Sequence, residues 1–122
     1  MYTPEWLTKF AQDIAGNIVM STEHGSAIQA YRKKYSITQK ELGHLLDLRR
    51  ETISRIENGK VNSTVNFIQN FVGVLAIAEA TKAYCKGNEI EFPFFERIAK
   101  EFGISSAKLD QILGITLKKM EV

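Results

Sequence analysis

At 122 residues, with 44% hydrophobic and 25% charged residues, the chain is long enough to bury a core and too evenly composed to be disordered. The single cysteine, Cys85, excludes an intrachain disulfide, and the longest apolar run, 71–78, is too short to span a bilayer. Net charge is only +2, yet residues 31–60 hold eight cations against four anions, the distribution expected of a protein whose partner carries phosphates.

Thr3-Pro4 opens the first expected helix: threonine caps, and proline fits the first helical position because its missing N–H has no partner there. Leu7, Phe10, Ile14 and Ile18 recur at helical spacing, widened by Trp6 and Ala11, and carry the helix to about Met20. Ser21 to Gly25 reads as a loop. Ser26 and Gln29 form a capping box that starts a second helix to about Tyr35, with Ile28 and Tyr31 inward and Arg32, Lys33 and Lys34 outward. Thr38 and Glu41 form another capping box, opening a helix with Leu42, Leu45 and Leu46 inside. Asp47-Leu48-Arg49 is a turn, and a short helix follows from Arg50 to Asn58, closed by Asn58-Gly59.

A longer helix begins near Ser63. Val65, Ile68, Val72, Leu75 and Glu79 form one row and Phe67, Phe71, Val74 and Ala78 another, so this helix has two surfaces to bury. Cys85, in a largely apolar helical stretch, reads as a buried inert thiol, and Lys86-Gly87-Asn88 ends the helix. Pro93 starts a helix with Phe94, Phe95, Ile98, Ala99 and Phe102. Gly103-Ile104-Ser105 is a turn, and Ser105 caps a last helix with Leu109, Ile112 and Leu113, which Gly114 terminates. No stretch alternates as a strand does, so the expected fold is all-α.

The segment 37–60 carries the function. A helix-turn-helix needs a small residue at the fifth position of its first helix, where the second crosses closely, and Gly43 supplies it. Four residues on, the turn needs positive φ, for which Asp47 is a tolerated substitute for glycine. Leu48, Ile53 and Ile56 are the apolar locks, while Arg50, Glu51 and Arg55 lie on the outer face.

With Gln39 opening the first motif helix, then Glu41-Leu42, Ile53-Ser54-Arg55-Ile56-Glu57 and Asn58-Gly59-Lys60, residues 26 to about 80 resemble the phage-repressor-like Cro/CI (XRE) DNA-binding domain. Lead-in helices such as 1–24 resemble those of archaeal members. The resemblance implies a lambda-repressor-like helix-turn-helix bundle over 25–86, preceded by an extra N-terminal helix (1–24) and followed by a helical segment (87–122) for packing or dimerisation. It also implies a homodimeric regulator, a repressor or activator, on a palindromic double-stranded operator with half-sites about 34–36 Å apart.

By position, the resemblance gives Gln39 a phosphate contact at its helix N-terminus. Arg50 and Arg55 would read guanine, and Thr52 a thymine methyl group. Glu51 either accepts from cytosine or orients Arg50 or Arg55. Ser54 falls at a phosphate position, and Asn58, Lys60 and Asn62 hold the backbone past the recognition helix. Arg32, Lys33 and Lys34 extend the electrostatic footprint. Arg49 stands where the family has a serine or threonine cap, a loss of about 1 kcal/mol that a phosphate contact offsets. The rival expectation is an antitoxin or coactivator-like interaction module on the same fold, gripping a protein through its C-terminal half.

Residues 99–112 also satisfy the helix-turn-helix rules, with Ala99 as the small residue, Gly103 in the turn and Ile104, Leu109 and Ile112 as locks. Ser106, Ala107, Lys108, Asp110 and Gln111 give its outer face one cation, one anion and no arginine, which favours packing or dimerisation over a second reader. Phe92, Phe94, Phe95 and Phe102 point the same way, to a core or a subunit interface.

No enzyme, cofactor or metal site is expected: His24 and His44 lack ligand spacing, and Gly59-Lys60 lacks the upstream glycine of a phosphate loop. Glu41 and Glu57 read as cap and ion-pair residues, the latter beside Arg55. The N-terminus has neither the basic nor the apolar region of a signal peptide. The expected location is therefore the cytoplasm, and the sequon Asn62-Ser63-Thr64 is a chance match.

Overall fold

Fifteen of the sixteen residues from Val65 to Ala80 are apolar, glycine included, or uncharged amides, and the helix they form has no dry face and wet face but is wrapped. In the computed structural model, which describes residues 4–84 and 92–120, this helix, α5 (Val65–Tyr84), is the axis of an all-α bundle. Helix α1 (Glu5–Met20) packs along it, and α6 (Phe92–Glu101) and α7 (Ser106–Met120) cover another side. Helices α2 (His24–Lys34), α3 (Gln39–Leu46) and α4 (Arg50–Glu57) complete the bundle. Leu7, Ile18, Ile28, Leu42, Ile53, Phe71, Leu75, Phe95 and Leu109 belong to one contiguous buried cluster, so every helix contributes to the same core. Among the described residues no helix is long and apolar enough to cross a membrane.

The capping box at Thr38 forms as expected. The Glu41 N–H donates to Thr38 Oγ1 at 3.0 Å, and the Thr38 N–H donates to Glu41 Oε1 at 2.9 Å. The capping box at Ser26 does not form. Helix α2 begins earlier, at His24, with no side-chain cap from Glu23, and Ser26 lies exposed inside the helix. The cause is Gly25: a Cβ there would sit 2.3 Å from the Ile56 carbonyl oxygen and 2.6 Å from that of Glu57. The first turn of α2 is thus pressed onto the end of α4, and only a residue without a side chain permits it. Gly25→Ala is expected to destabilise the fold by about 1–3 kcal/mol in urea denaturation. An unchanged midpoint would mean that the two helix ends are not in contact.

Other differences have similar causes. Pro4 is the N-cap and Glu5 the first helical residue of α1, while Thr3 lies outside the described residues. Trp6 and Val65 do not join the buried core and remain 42% and 72% exposed, although Leu7, next to Trp6, is fully buried. The helix α7 passes through Gly114 rather than ending there. Thr116 is buried and Ile115 and Leu117 pack on the core, which outweighs the roughly 1 kcal/mol that glycine costs within a helix. The expectations for Cys85 and for Lys86-Gly87-Asn88, and for the side chain of Phe92, fall outside the described residues.

Candidate nucleic-acid interface

Helix α4 is placed from both ends. At its start, Asp47 adopts φ +56° and ψ +40°, the left-handed conformation that the sequence demanded of the turn. The Leu48 N–H then donates to the Gly43 carbonyl at 2.8 Å. A Cβ on Gly43 would meet the Leu48 carbonyl oxygen at 2.6 Å, so the small-residue rule has a concrete steric origin here. Ile53 and Ile56 are buried as locks, whereas Leu48 is 36% exposed. Its contact with α3 is made by its backbone, at Gly43. Arg49 is the N-cap and provides no side-chain cap, as its replacement of serine or threonine implied.

The largest correction concerns Arg32, expected to face outward and found buried. Its Nε donates to Glu57 Oε2 at 2.6 Å, its Nη2 to Glu57 Oε1 at 3.0 Å and its Nη1 to the Ile37 carbonyl at 2.8 Å. The Glu57 side chain is fully buried and also accepts from Gln39 Nε2 at 2.9 Å. One bidentate ion pair therefore joins α2, the entry to α3 and the last turn of α4. Glu57 pairs with Arg32, not with Arg55. Arg32 is four residues from Ile28 and Glu57 four from Ile53, so helical spacing put both on inner rows. The pair removes Arg32 from the exposed surface and leaves Gln39 half-buried, with one amide hydrogen still unassigned.

The remaining sequence-selected residues fall on one side of α4 and the segment after it. Arg49, Arg50, Glu51 and Arg55 are exposed, as are Asn58, Lys60 and Asn62, while Thr52 and Ser54 are half-buried. Among the described residues no ion pair engages Arg49, Arg50, Arg55 or Lys60. Unspent guanidinium groups on a helix whose back is locked into the core form a rigid cationic surface, suited to phosphates and to guanine edges. Asn58 is an exception to the outward pattern, because its Nδ2 donates back to the Ser54 carbonyl at 2.9 Å and lies 3.3 Å from Ser54 Oγ. Lys33 and Lys34 are exposed on α2, as expected.

The helix α3 carries a carboxylate with a shifted pKa, Glu41. Burial raises the pKa of Glu41, but the Thr38 N–H and the Lys119 ammonium at 3.2 Å more than offset it, leaving the group below its ordinary value of 4.5. A depressed carboxylate stabilises the fold above its ordinary pKa, and that contribution disappears as pH falls through the folded value. Glu41→Gln is therefore expected to lose less stability than the wild type between roughly pH 5 and pH 3, read as the melting temperature against pH. Parallel curves would contradict this. Elsewhere, burial foremost and then Glu79, whose Oε1 accepts from the Tyr35 hydroxyl at 3.3 Å, push the Tyr35 phenol well above its usual range.

The second helix-turn-helix expected from sequence is also built. The Ile104 N–H donates to the Ala99 carbonyl at 2.8 Å, the counterpart of the Leu48 bond to Gly43, and Gly103 has φ +72°. Part of its outer face is engaged by the first motif, while Ser106, Ala107 and Asp110 stay exposed. Lys108 donates to the His44 carbonyl at 2.9 Å and to Asp47 Oδ1 at 2.7 Å, so α7 lies against α3. The sequence favours packing or dimerisation for the face that holds Lys108 and does not name its partner, since a contact across 61 residues leaves no local trace.

Residues 28–80 match a family model described as Helix-turn-helix. No curated protein and no solved structure matches the chain. The matched span begins at Ile28 in α2 and ends at Ala80 in α5, thus enclosing the α3–turn–α4 geometry. The chain is an all-α bundle in which residues 28–80, the span similar to the helix-turn-helix family model, enclose the α3–turn–α4 unit.

Proposed function

We propose that this protein is a sequence-specific regulator of transcription that binds double-stranded DNA with α4 in the major groove. The observation that carries the reading is the set of exposed cations, Arg49, Arg50, Arg55 and Lys60, without an ion pair among the described residues, on and flanking a helix whose opposite face is locked by Ile53, Ile56 and Glu57. Arg50 and Arg55 read base edges, with Glu51 and Thr52 beside them. Arg49, Lys60, Asn62 and Lys33 hold phosphates, and Gln39 uses its remaining amide hydrogen in the same way. Ser54 and Asn58 chiefly support each other. Arg32 supports the fold and not the contact surface. Selection of bound duplexes from a random pool tests the reading: a defined motif with salt-dependent affinity is expected, and failure to enrich any sequence would reject it.

The working form is a homodimer. His24 Nε2 donates to the Val19 carbonyl at 3.0 Å and its Nδ1 faces Ser63 Oγ at 3.4 Å, which brings the end of α1 beside the segment leading into α5. Val19, Met20, Val61 and Val65 are exposed there. Both contributing stretches, 14–22 and 61–78, lack any charged residue. An uncharged apolar surface directly after the recognition helix suits a two-fold interface, where each patch meets its own copy without repulsion. Val65→Glu is expected to shift the protein to monomer in sedimentation velocity and to weaken binding to a two-half-site duplex more than to a single half-site. A variant that remains dimeric would place the interface elsewhere.

A further inference from the structure

The turn before α4 uses an aspartate where a left-handed backbone favours glycine, and the carboxylate of that aspartate stands next to the cationic surface proposed to meet DNA. Left alone, it would repel phosphates. It is not left alone: Lys108, from the far end of the chain, places Nζ 2.7 Å from Asp47 Oδ1 and 2.9 Å from the His44 carbonyl, with Gln111 Oε1 at 3.5 Å. About three turns further along α7, Lys119 meets Glu41 in the first turn of α3. Helix α7 therefore holds α3 near both ends. An ammonium group beside the last carbonyls of α3 also has the favourable sign for the helix dipole.

We infer that Lys108 is a positioning residue for DNA recognition. It neutralises Asp47 and fixes the turn that aims Arg49 and Arg50, without itself touching the duplex. The inference rests on α4 being the DNA reader, and it gives the C-terminal helices a role in binding through the helix-turn-helix. Both properties of Lys108 matter. Its charge cancels an anion at the edge of the interface, and its hydrogen bonds hold a backbone conformation that aspartate adopts less readily than glycine.

The test uses the full chain and a duplex recovered by the wild type from a random pool. Lys108→Met is expected to weaken binding about fivefold, the upper range for a partly exposed ion pair. The slope of log affinity against log salt should stay at the wild-type value, because no phosphate contact is lost. With Asp47→Asn already in place, Lys108→Met should cost much less. In hydrogen exchange without DNA, Lys108→Met should speed exchange of the Leu48 amide and leave that of the α5 amides unchanged. A slope lower by about one would make Lys108 a direct phosphate ligand and overturn the inference. So would unchanged affinity, additive effects of the two substitutions, or exchange that rises uniformly. If the wild type binds no duplex, it is the DNA reading that fails, and exchange at Leu48 alone then decides whether Lys108 holds the turn.

Discussion

Arg32→Ala is expected to destabilise the protein by about 3–5 kcal/mol, the largest stability effect of any single substitution considered. The magnitude follows from what is left behind. Glu57 has a fully buried side chain, and removing the guanidinium takes away two of its three hydrogen-bond donors, leaving Gln39 as the remaining one. The Ile37 carbonyl also loses its bond from Nη1. Since domains are stable by only about 5–15 kcal/mol in total, such a loss brings this one close to unfolding at physiological temperature. Replacing both partners with apolar residues of similar volume, Arg32→Met with Glu57→Leu, should recover much of it, because no uncompensated charge then remains in the core. Urea denaturation of the single and double variants checks both statements. A single variant within 1 kcal/mol of the wild type would contradict the burial of the pair.

The second large effect is on binding. Arg50→Ala and Arg55→Ala are each expected to cost about 1–3 kcal/mol of affinity for the selected duplex and to relax preference at one base position each. Both side chains are exposed, without an ion pair among the described residues, so their loss should leave stability nearly untouched. Lys60→Ala should differ in kind, weakening all sequences alike and lowering the salt slope by about one. Competition binding with single-base variants of the duplex separates the two behaviours. Arginine variants that keep full affinity and full preference would remove α4 from the groove.

What was legible in the sequence divides along a physical line. Local rules held where the cause is local. The Thr38 capping box, the left-handed Asp47, the steric demand at Gly43 and the missing cap at Arg49 involve neighbours within a few residues, and all stand in the structure. The misreadings involve partners distant in the chain. Arg32 looked like a solvated cation because its partner lies 25 residues away. Gly25 looked like a loop residue because the carbonyls that exclude a side chain belong to Ile56 and Glu57. Gly114 looked like a terminator because the packing that carries α7 past it, at Thr116 and Leu117, depends on the assembled core. The exposed part of the candidate site was the more readable part. An outward residue on a short helix is defined by period alone, while an inward charge needs a tertiary partner to explain it.

The proposed interaction of α4 with the duplex is tested most directly by backbone amide chemical shifts recorded as the selected duplex is added to labelled protein. The account predicts that the largest changes fall between Arg49 and Asn62 and at Gln39, with the Arg50 and Arg55 side-chain signals moving alongside. Changes centred on α6 and α7, with 49–62 undisturbed, would contradict it.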